Sequence, residues 1–225
     1  MTLFHFNSTY KTCFFLFLII IFNILFHLLI NENNTENFEN KQNLILMGDS
    51  VFRNDNYVDS GHSIKDIFNK DLKNVIVVAQ DNAVINDIKY QFKKIPKSMN
   101  NSNTKLIVSI GGNDLLNYYK SNDVTDKKYI NTLFQNYQSN IEYLITNSKY
   151  EIVLCNIYYP KAESFKRYHK IISIWNKKVK DFSRKSNLEL IELDKIVDQK
   201  HYFTNDIEPS FRGGLVIRNH ILNED

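Results

Sequence analysis

The sequence predicts an α/β domain: a three-layer, doubly wound (flavodoxin-like) parallel sheet of about five strands, with a transmembrane helix at its N-terminus. Three observations lead there. Short apolar runs are nearly continuous rather than alternating, as in parallel strands buried on both faces. Segments with apolar residues spaced three and four apart lie between those runs, giving the strand–helix alternation of doubly wound sheets. The chain has only six glycines, and Gly48, Gly111 and Gly112 sit just after the first and third apolar runs. A strand-to-helix turn has the backbone geometry that glycine relieves.

The N-terminal element comes first. Cys13 to Ile30 carries no formal charge and is interrupted only by Asn23 and His27. That length approaches the roughly 20 apolar residues of a spanning helix. A cleaved signal peptide is the competing reading, but the exit through Leu29, Ile30 and Asn31 lacks a small-residue cleavage site. Residues 1–30 are therefore expected to form a membrane anchor. Lys11 precedes the run, whereas Glu32, Glu36 and Glu39 follow it against Lys41. The positive-inside rule places the N-terminus in the cytoplasm and the rest outside or in a lumen, a single-pass membrane protein. Residues 31–43 are polar and aperiodic and read as a linker. Residues 44–225 remain, enough for one α/β core.

The expected strands are Leu44–Met47, Asn74–Ala79, Lys105–Ile110, Glu151–Ile157 and a weaker Leu188–Leu193. The expected helices are Ser63–Phe68, Ala83–Phe92, Thr125–Thr146, Ser164–Ser186 and about Gly213–Leu222. In such sheets ligands bind beyond the carboxyl ends of the strands. The residues there are Gly48-Asp49-Ser50, Gln80-Asp81-Asn82 and Gly111-Gly112-Asn113-Asp114.

Composition excludes several classes. Hydrophobic residues at 43% and charged residues at 24% exclude a wholly disordered chain. A formal charge of +3, spread without long runs, gives no reason to expect a nucleic-acid partner. Two cysteines, Cys13 and Cys155, provide neither a disulfide framework nor a zinc site. No phosphate-binding glycine loop occurs and no metal-ligand cluster is visible, so no cofactor and no metal are expected.

Leu46-Met47-Gly48-Asp49-Ser50-Val51-Phe52 and Ser109-Ile110-Gly111-Gly112-Asn113-Asp114 together resemble the SGNH (GDSL-type) hydrolase family. Asn54, Tyr57 and Val58 extend the resemblance toward a branch reading GDSVFDN…YV. The resemblance spans about Leu44 to Leu222 and implies a serine esterase or acylhydrolase. It makes Ser50 the nucleophile. The Ser50 N–H, the Asn82 N–H and the Asn113 side chain become the oxyanion hole, with Asp49, Gly112 and Asp114 in support. An amide suits that role because it is neutral and presents two N–H donors.

Two blocks depart from the family. Asn82 stands where the family has glycine; its N–H is retained, and Asn tolerates a left-handed backbone. The family's Asp-x-x-His is replaced by Asn205-Asp206-Ile207-Glu208, ahead of Pro209, Ser210, Gly213 and Gly214; the same branch reads NPIEPS before GG. Glu208 then takes the place of the histidine, with Asn205 to orient it. A buried carboxylate with a raised pKa can serve as a base. Alternatively, Glu208 caps the last helix, where negative charge is favoured. His201 and His62 are further candidates for proton transfer. The expected substrate is a small-molecule or glycan ester. The competing reading is a catalytically idle binding protein on the same fold, holding acylated glycan or another surface partner, since fold does not guarantee chemistry. Acyl transfer to an acceptor other than water is a third reading.

Overall fold

The computed structural model describes residues 19–23, 42–72, 74–121 and 127–223. The chain divides into two units, residues 1–41 and 42–225. In the first, Ile19 to Asn23 are helical, and the Asn23 side chain donates to the Ile19 carbonyl at 2.9 Å. The rest of the expected anchor and nearly all of the linker lie outside the described residues. Among the described residues no helix is long and apolar enough to cross a membrane.

The second unit holds a five-stranded sheet, wholly parallel, in the order β2-β1-β3-β4-β5. The strands are β1 (Asn43–Gly48), β2 (Val75–Val77), β3 (Thr104–Ser109), β4 (Glu151–Cys155) and β5 (Glu189–Ile191). The helices are α1 (Ile64–Asp71), α2 (Ile88–Lys93), α3 (Gly112–Ser121), α4 (Lys127–Asn147), α5 (His169–Lys185), α6 (Leu193–Ile196) and α7 (Phe211–Leu222).

Strand alternation divides the core into two layers. Ile45, Met47, Leu106, Val108, Ile152 and Leu154 face one side and pack with Ile88 of α2, Tyr137 and Ile141 of α4 and Trp175 of α5. Leu44, Leu46, Ile107, Val153, Cys155 and Ile191 face the other, with Ile64 and Phe68 of α1 and Ile217 and Ile221 of α7. The apolar runs look continuous in sequence because both faces of each strand are covered.

Several boundaries differ from expectation. β2 is shorter because the Val78 and Ala79 N–H groups both donate to the Leu46 carbonyl, at 2.9 and 3.1 Å, which ends the regular ladder. β4 stops at Cys155 because the Asn176 side chain takes both backbone groups of Ile157, at 2.9 and 2.7 Å. Helix α3 has no counterpart among the expected elements. Only Leu115, Leu116 and Tyr118 give its described part an apolar side, too few for a periodicity signal. Helix α7 begins at Phe211, and its N-cap is Ser210, whose hydroxyl accepts from Gly213 N–H at 3.2 Å.

Candidate active site

The neighbours β1 and β3 have their following helices on opposite sides of the sheet, so a crevice opens beyond their carboxyl ends. Ser50 sits at the end of β1 in this crevice. Gly48, just before it, has φ +135° and lies so close to β3 that a Cβ would stand 1.7 Å from the Ser109 carbonyl oxygen. Gln91, fully buried on α2, holds the same residue from the other side. Its side-chain oxygen accepts from Gly48 N–H at 2.8 Å, and its NH2 donates to the Gly48 carbonyl at 2.7 Å. The strand end that presents Ser50 is thus fixed by a steric fit and a two-point clamp.

Glu208 reaches the crevice from the other end of the chain. Its carboxyl is buried, 7% exposed, and its Oε2 has no hydrogen-bond partner. Burial pushes its pKa up to about 7; the Ser50 hydroxyl, acting as a hydrogen-bonding neighbour, pulls it down, and the charge of Asp81 adds a smaller upward push. The loop carrying Glu208 is held at several points. The Asn205 side-chain oxygen accepts from the Ile207 and Glu208 N–H groups at 2.9 and 2.8 Å. The Tyr158 hydroxyl donates to the Ile207 carbonyl at 2.8 Å. Asn54, fully buried, donates to the Pro209 carbonyl at 3.0 Å and accepts from Ile64 N–H at 2.8 Å. It thereby ties the segment after Ser50, the start of α1 and the Glu208 loop together.

Asn205 therefore shapes the backbone on either side of Glu208 rather than orienting its carboxyl. The capping reading of Glu208 is corrected by the structure: Ser210 caps α7, two residues later. His201 is exposed and its ring lies 4.5 Å from that of Tyr202, while exposed His62 lies 4.4 Å from Phe211. Neither is hydrogen-bonded to Ser50 or Glu208 among the described residues, and no histidine lines the cleft around Ser50.

The remaining candidates form a frame. Asn113 donates to the Ala83 carbonyl at 3.0 Å, using one of its two side-chain N–H groups. Asp114 accepts from Ile85 N–H at 3.0 Å, so both residues tie α3 to the segment after Asn82. Asn82 has φ +60°, a left-handed conformation that Asn tolerates. Among the described residues, neither the Ser50 N–H nor the Asn82 N–H is spent on another hydrogen bond. Asp49 is buried with its Oδ1 accepting from Val51 N–H at 3.2 Å. Burial, with smaller pushes from Glu208 and Asp114, raises its pKa to about 8. Burial raises Asp114 less, to about 6, because it is only half-buried, and the Ile85 N–H pulls it down as the Val51 N–H does Asp49. Gly112 lines the cleft, and a Cβ there would sit 3.7 Å from Asp49 Oδ2.

A small cleft, with about 50 Å³ of enclosed space, opens beside Ser50. Asp49, Ser50, Gly112 and Asn113 form its polar rim; Leu115, Leu116, Ile157, Pro160, Tyr168 and Ile172 make most of its walls. Glu208, Asn82, Asp114 and Asn205 are not among its lining residues. Sequence reasoning missed Gln91 and Tyr158 altogether. Asn54 carried a signal as part of the GDSVF…N extension, but its clamp did not follow from it. Among the described residues no three His, Cys, Asp or Glu side chains gather as metal ligands would.

Comparison with known proteins gives a family and a fold. Residues 44–215 match the model of the GDSL-like lipase/acylhydrolase family. No curated protein matches the sequence. Among solved structures, a member of the lipolytic G-D-S-L family from Veillonella parvula DSM 2008 is similar, with a TM-score of 0.62 and 17% identity, over 81% of this chain and 97% of that one. An acetyl xylan esterase is similar with a TM-score of 0.61 and 16% identity, over 80% and 98%. Another acetyl xylan esterase, from Geobacillus stearothermophilus, gives 0.56 and 12%, over 82% and 94%. At these identities the likeness is one of fold.

Proposed function

Because the chain belongs to the GDSL-like lipase/acylhydrolase family, we propose that it is a serine esterase that cleaves a carboxylic ester through an acyl-enzyme. The observation that carries this reading is the Ser50 hydroxyl beside a buried Glu208 carboxyl with a pKa near 7. Glu208 takes the hydroxyl proton as Ser50 Oγ attacks the ester carbonyl carbon. The oxyanion that forms is met by the Ser50 N–H, the Asn82 N–H and the second side-chain N–H of Asn113. Protonated Glu208 then gives its proton to the leaving alcohol, and a water activated by Glu208 releases the acyl group. Asp49, whose pKa lies above that of Glu208, keeps its proton at neutral pH, so one negative charge rather than two faces the nucleophile. The apolar cleft beside Ser50 takes the acyl part, which needs no hydrogen bonds.

The test is fluorophosphonate labelling of the full-length chain, located by mass spectrometry. Ser50 is expected to be the labelled residue, with no label in Ser50→Ala. A folded chain that resists labelling would favour the idle binding protein, which the loss of the family histidine otherwise motivates. We also propose that residues 13–30 anchor the protein in a membrane, with the N-terminus cytoplasmic and the catalytic domain outside or lumenal. The charge difference across the run motivates this. Resistance to carbonate extraction together with protease digestion of the domain from the outer side is the expected outcome; release by carbonate would refute it.

A further inference from the structure

Resting on the esterase reading, we infer that Tyr57 and Asp81 are positioning residues for the reaction: the Tyr57 hydroxyl, through Asp81, holds the turn that presents the Asn82 N–H to the oxyanion. The turn is Gln80 to Ala83, closed by Ala83 N–H donating to the Gln80 carbonyl at 3.2 Å. Asn82, its third residue, is exposed and has φ +60°. Glycine adopts that conformation at no steric cost, whereas a residue with a Cβ is strained there, Asn less than most. Packing does not hold an exposed residue in such a conformation; bonds to its neighbours in the turn do. Each neighbour is bonded. Gln80 N–H donates to the Gly48 carbonyl at 3.0 Å, joining the turn to β1. The Ala83 carbonyl accepts from the Asn113 side chain at 3.0 Å. Asp81, just before Asn82, is held by Tyr57.

The geometry of that contact is specific. The Tyr57 hydroxyl lies 3.0 Å from both Asp81 carboxyl oxygens, and the Asn56 amide lies 3.4 Å from Oδ2. One donor shared between two oxygens sets the rotation of the carboxyl as well as its place. A hydrogen bond to an ionised acceptor is also about twice as strong as a neutral one. Burial raises the Tyr57 pKa to about 12, with Asp81 pushing the same way, so the hydroxyl stays a donor across the working pH range. Tyr57 is itself anchored on the Glu208 side. Its N–H donates to the Asn54 carbonyl at 2.9 Å, and its carbonyl accepts from the Thr204 hydroxyl at 3.1 Å. Thr204 N–H in turn donates to the Glu208 carbonyl at 3.0 Å. The turn bearing Asn82 and the loop bearing Glu208 thus share one framework, with Tyr57 as the joint. Neither Tyr57 nor Asp81 lines the cleft beside Ser50, so they act through Asn82 and not on the substrate.

The test uses the full-length chain, with 4-nitrophenyl acetate as substrate and a fluorophosphonate to time the reaction of Ser50. Tyr57→Phe removes one oxygen and almost no bulk. It should lower kcat by about tenfold or more, with KM changed by less than about threefold, and slow the labelling of Ser50 by a similar factor. A displaced oxyanion donor loses part of the 10²–10³-fold that a deleted one costs. The kcat values are taken on the plateau of each pH profile, so that a change in the Glu208 pKa does not enter. Asp81→Ala should show the same loss. Asp81→Asn, whose side-chain oxygen still accepts from Tyr57, should recover most of it. A merely structural tyrosine would lower the melting temperature and leave the kcat of the folded protein unchanged. Wild-type kcat and labelling rate in Tyr57→Phe, a loss that falls on KM instead, or Asp81→Asn as impaired as Asp81→Ala would each overturn the inference. A wild-type chain in which Ser50 neither labels nor turns over the ester would overturn the esterase reading itself, and is thereby told apart from a failure of the Tyr57 clamp.

Discussion

At the scale of the residue, the proposed esterase asks Glu208 to take the place of a histidine, and burial raises its carboxyl toward that task. An ordinary glutamate, with a pKa near 4.3, is a weak base toward a hydroxyl. Burial brings Glu208 to about 7, within the range where a base at neutral pH is both ionised and able to hold a proton. The consequence is a pH profile. Activity should rise through about pH 7 as Glu208 loses its proton. Glu208→Gln, which keeps the shape and removes the base, should lower kcat by about 10²–10⁴-fold. It should also abolish that rising limb. Stopped-assay kcat against pH on a soluble aryl ester checks both. A Glu208→Gln enzyme with the wild-type limb intact would assign the titration to another group.

At the scale of the element, the site depends on clamps that join segments far apart in sequence. Gln91 is the clearest. Gln91→Ala would leave the buried Gly48 N–H without its partner, remove one donor from the Gly48 carbonyl and open a cavity between α2 and β1. The expected loss of stability is about 3 kcal/mol. It would be read from urea unfolding with an unchanged slope, and accompanied by a drop in activity as the strand end loosens. A loss below 0.5 kcal/mol would show that the clamp is dispensable. The same elements show how much was legible beforehand. Strand positions, the parallel sheet and the Ser50 and Asn113 blocks could be read, because buried parallel strands and glycine-bearing turns leave local patterns. Gln91 could not be foreseen, since a glutamine on a short helix reads as solvated until its neighbour is known. Nor could the exclusion of the capping role for Glu208, which depended on Ser210 bonding Gly213. Helix α3 was hidden for a related reason: its residues are chosen by the site at its first turn and by tyrosine packing, not by a regular apolar stripe.

At the scale of the molecule, the requirements of activity and stability run in opposite directions with pH. Three carboxyls, Asp49, Asp114 and Glu208, converge around the crevice, and burial raises all three in the folded chain, to about 8, 6 and 7. Their unfolded values are the ordinary ones near 4. Between those limits the native state binds more protons than the unfolded state, so the slope of unfolding free energy with pH is negative. The stability they contribute is fully present below about pH 4 to 5 and is lost as pH rises through 6, 7 and 8. The groups with lowered pKa, Asp181 and Glu192, are paired with surface lysines and act in the opposite sense only at more acid pH. The melting temperature should therefore fall steadily from pH 5 to pH 8, over the same interval in which Glu208 loses its proton. Glu208→Gln and Asp49→Asn should each flatten the fall, because neither amide ionises, and should raise the melting temperature at pH 8. Differential scanning calorimetry of the three proteins at pH 5, 6.5 and 8 decides the matter. A wild-type melting temperature that climbs toward pH 8, or variants that parallel it, would mean that the carboxyls around Ser50 ionise in the folded protein without strain. The case for Glu208 as a neutral-pH base would fall with it.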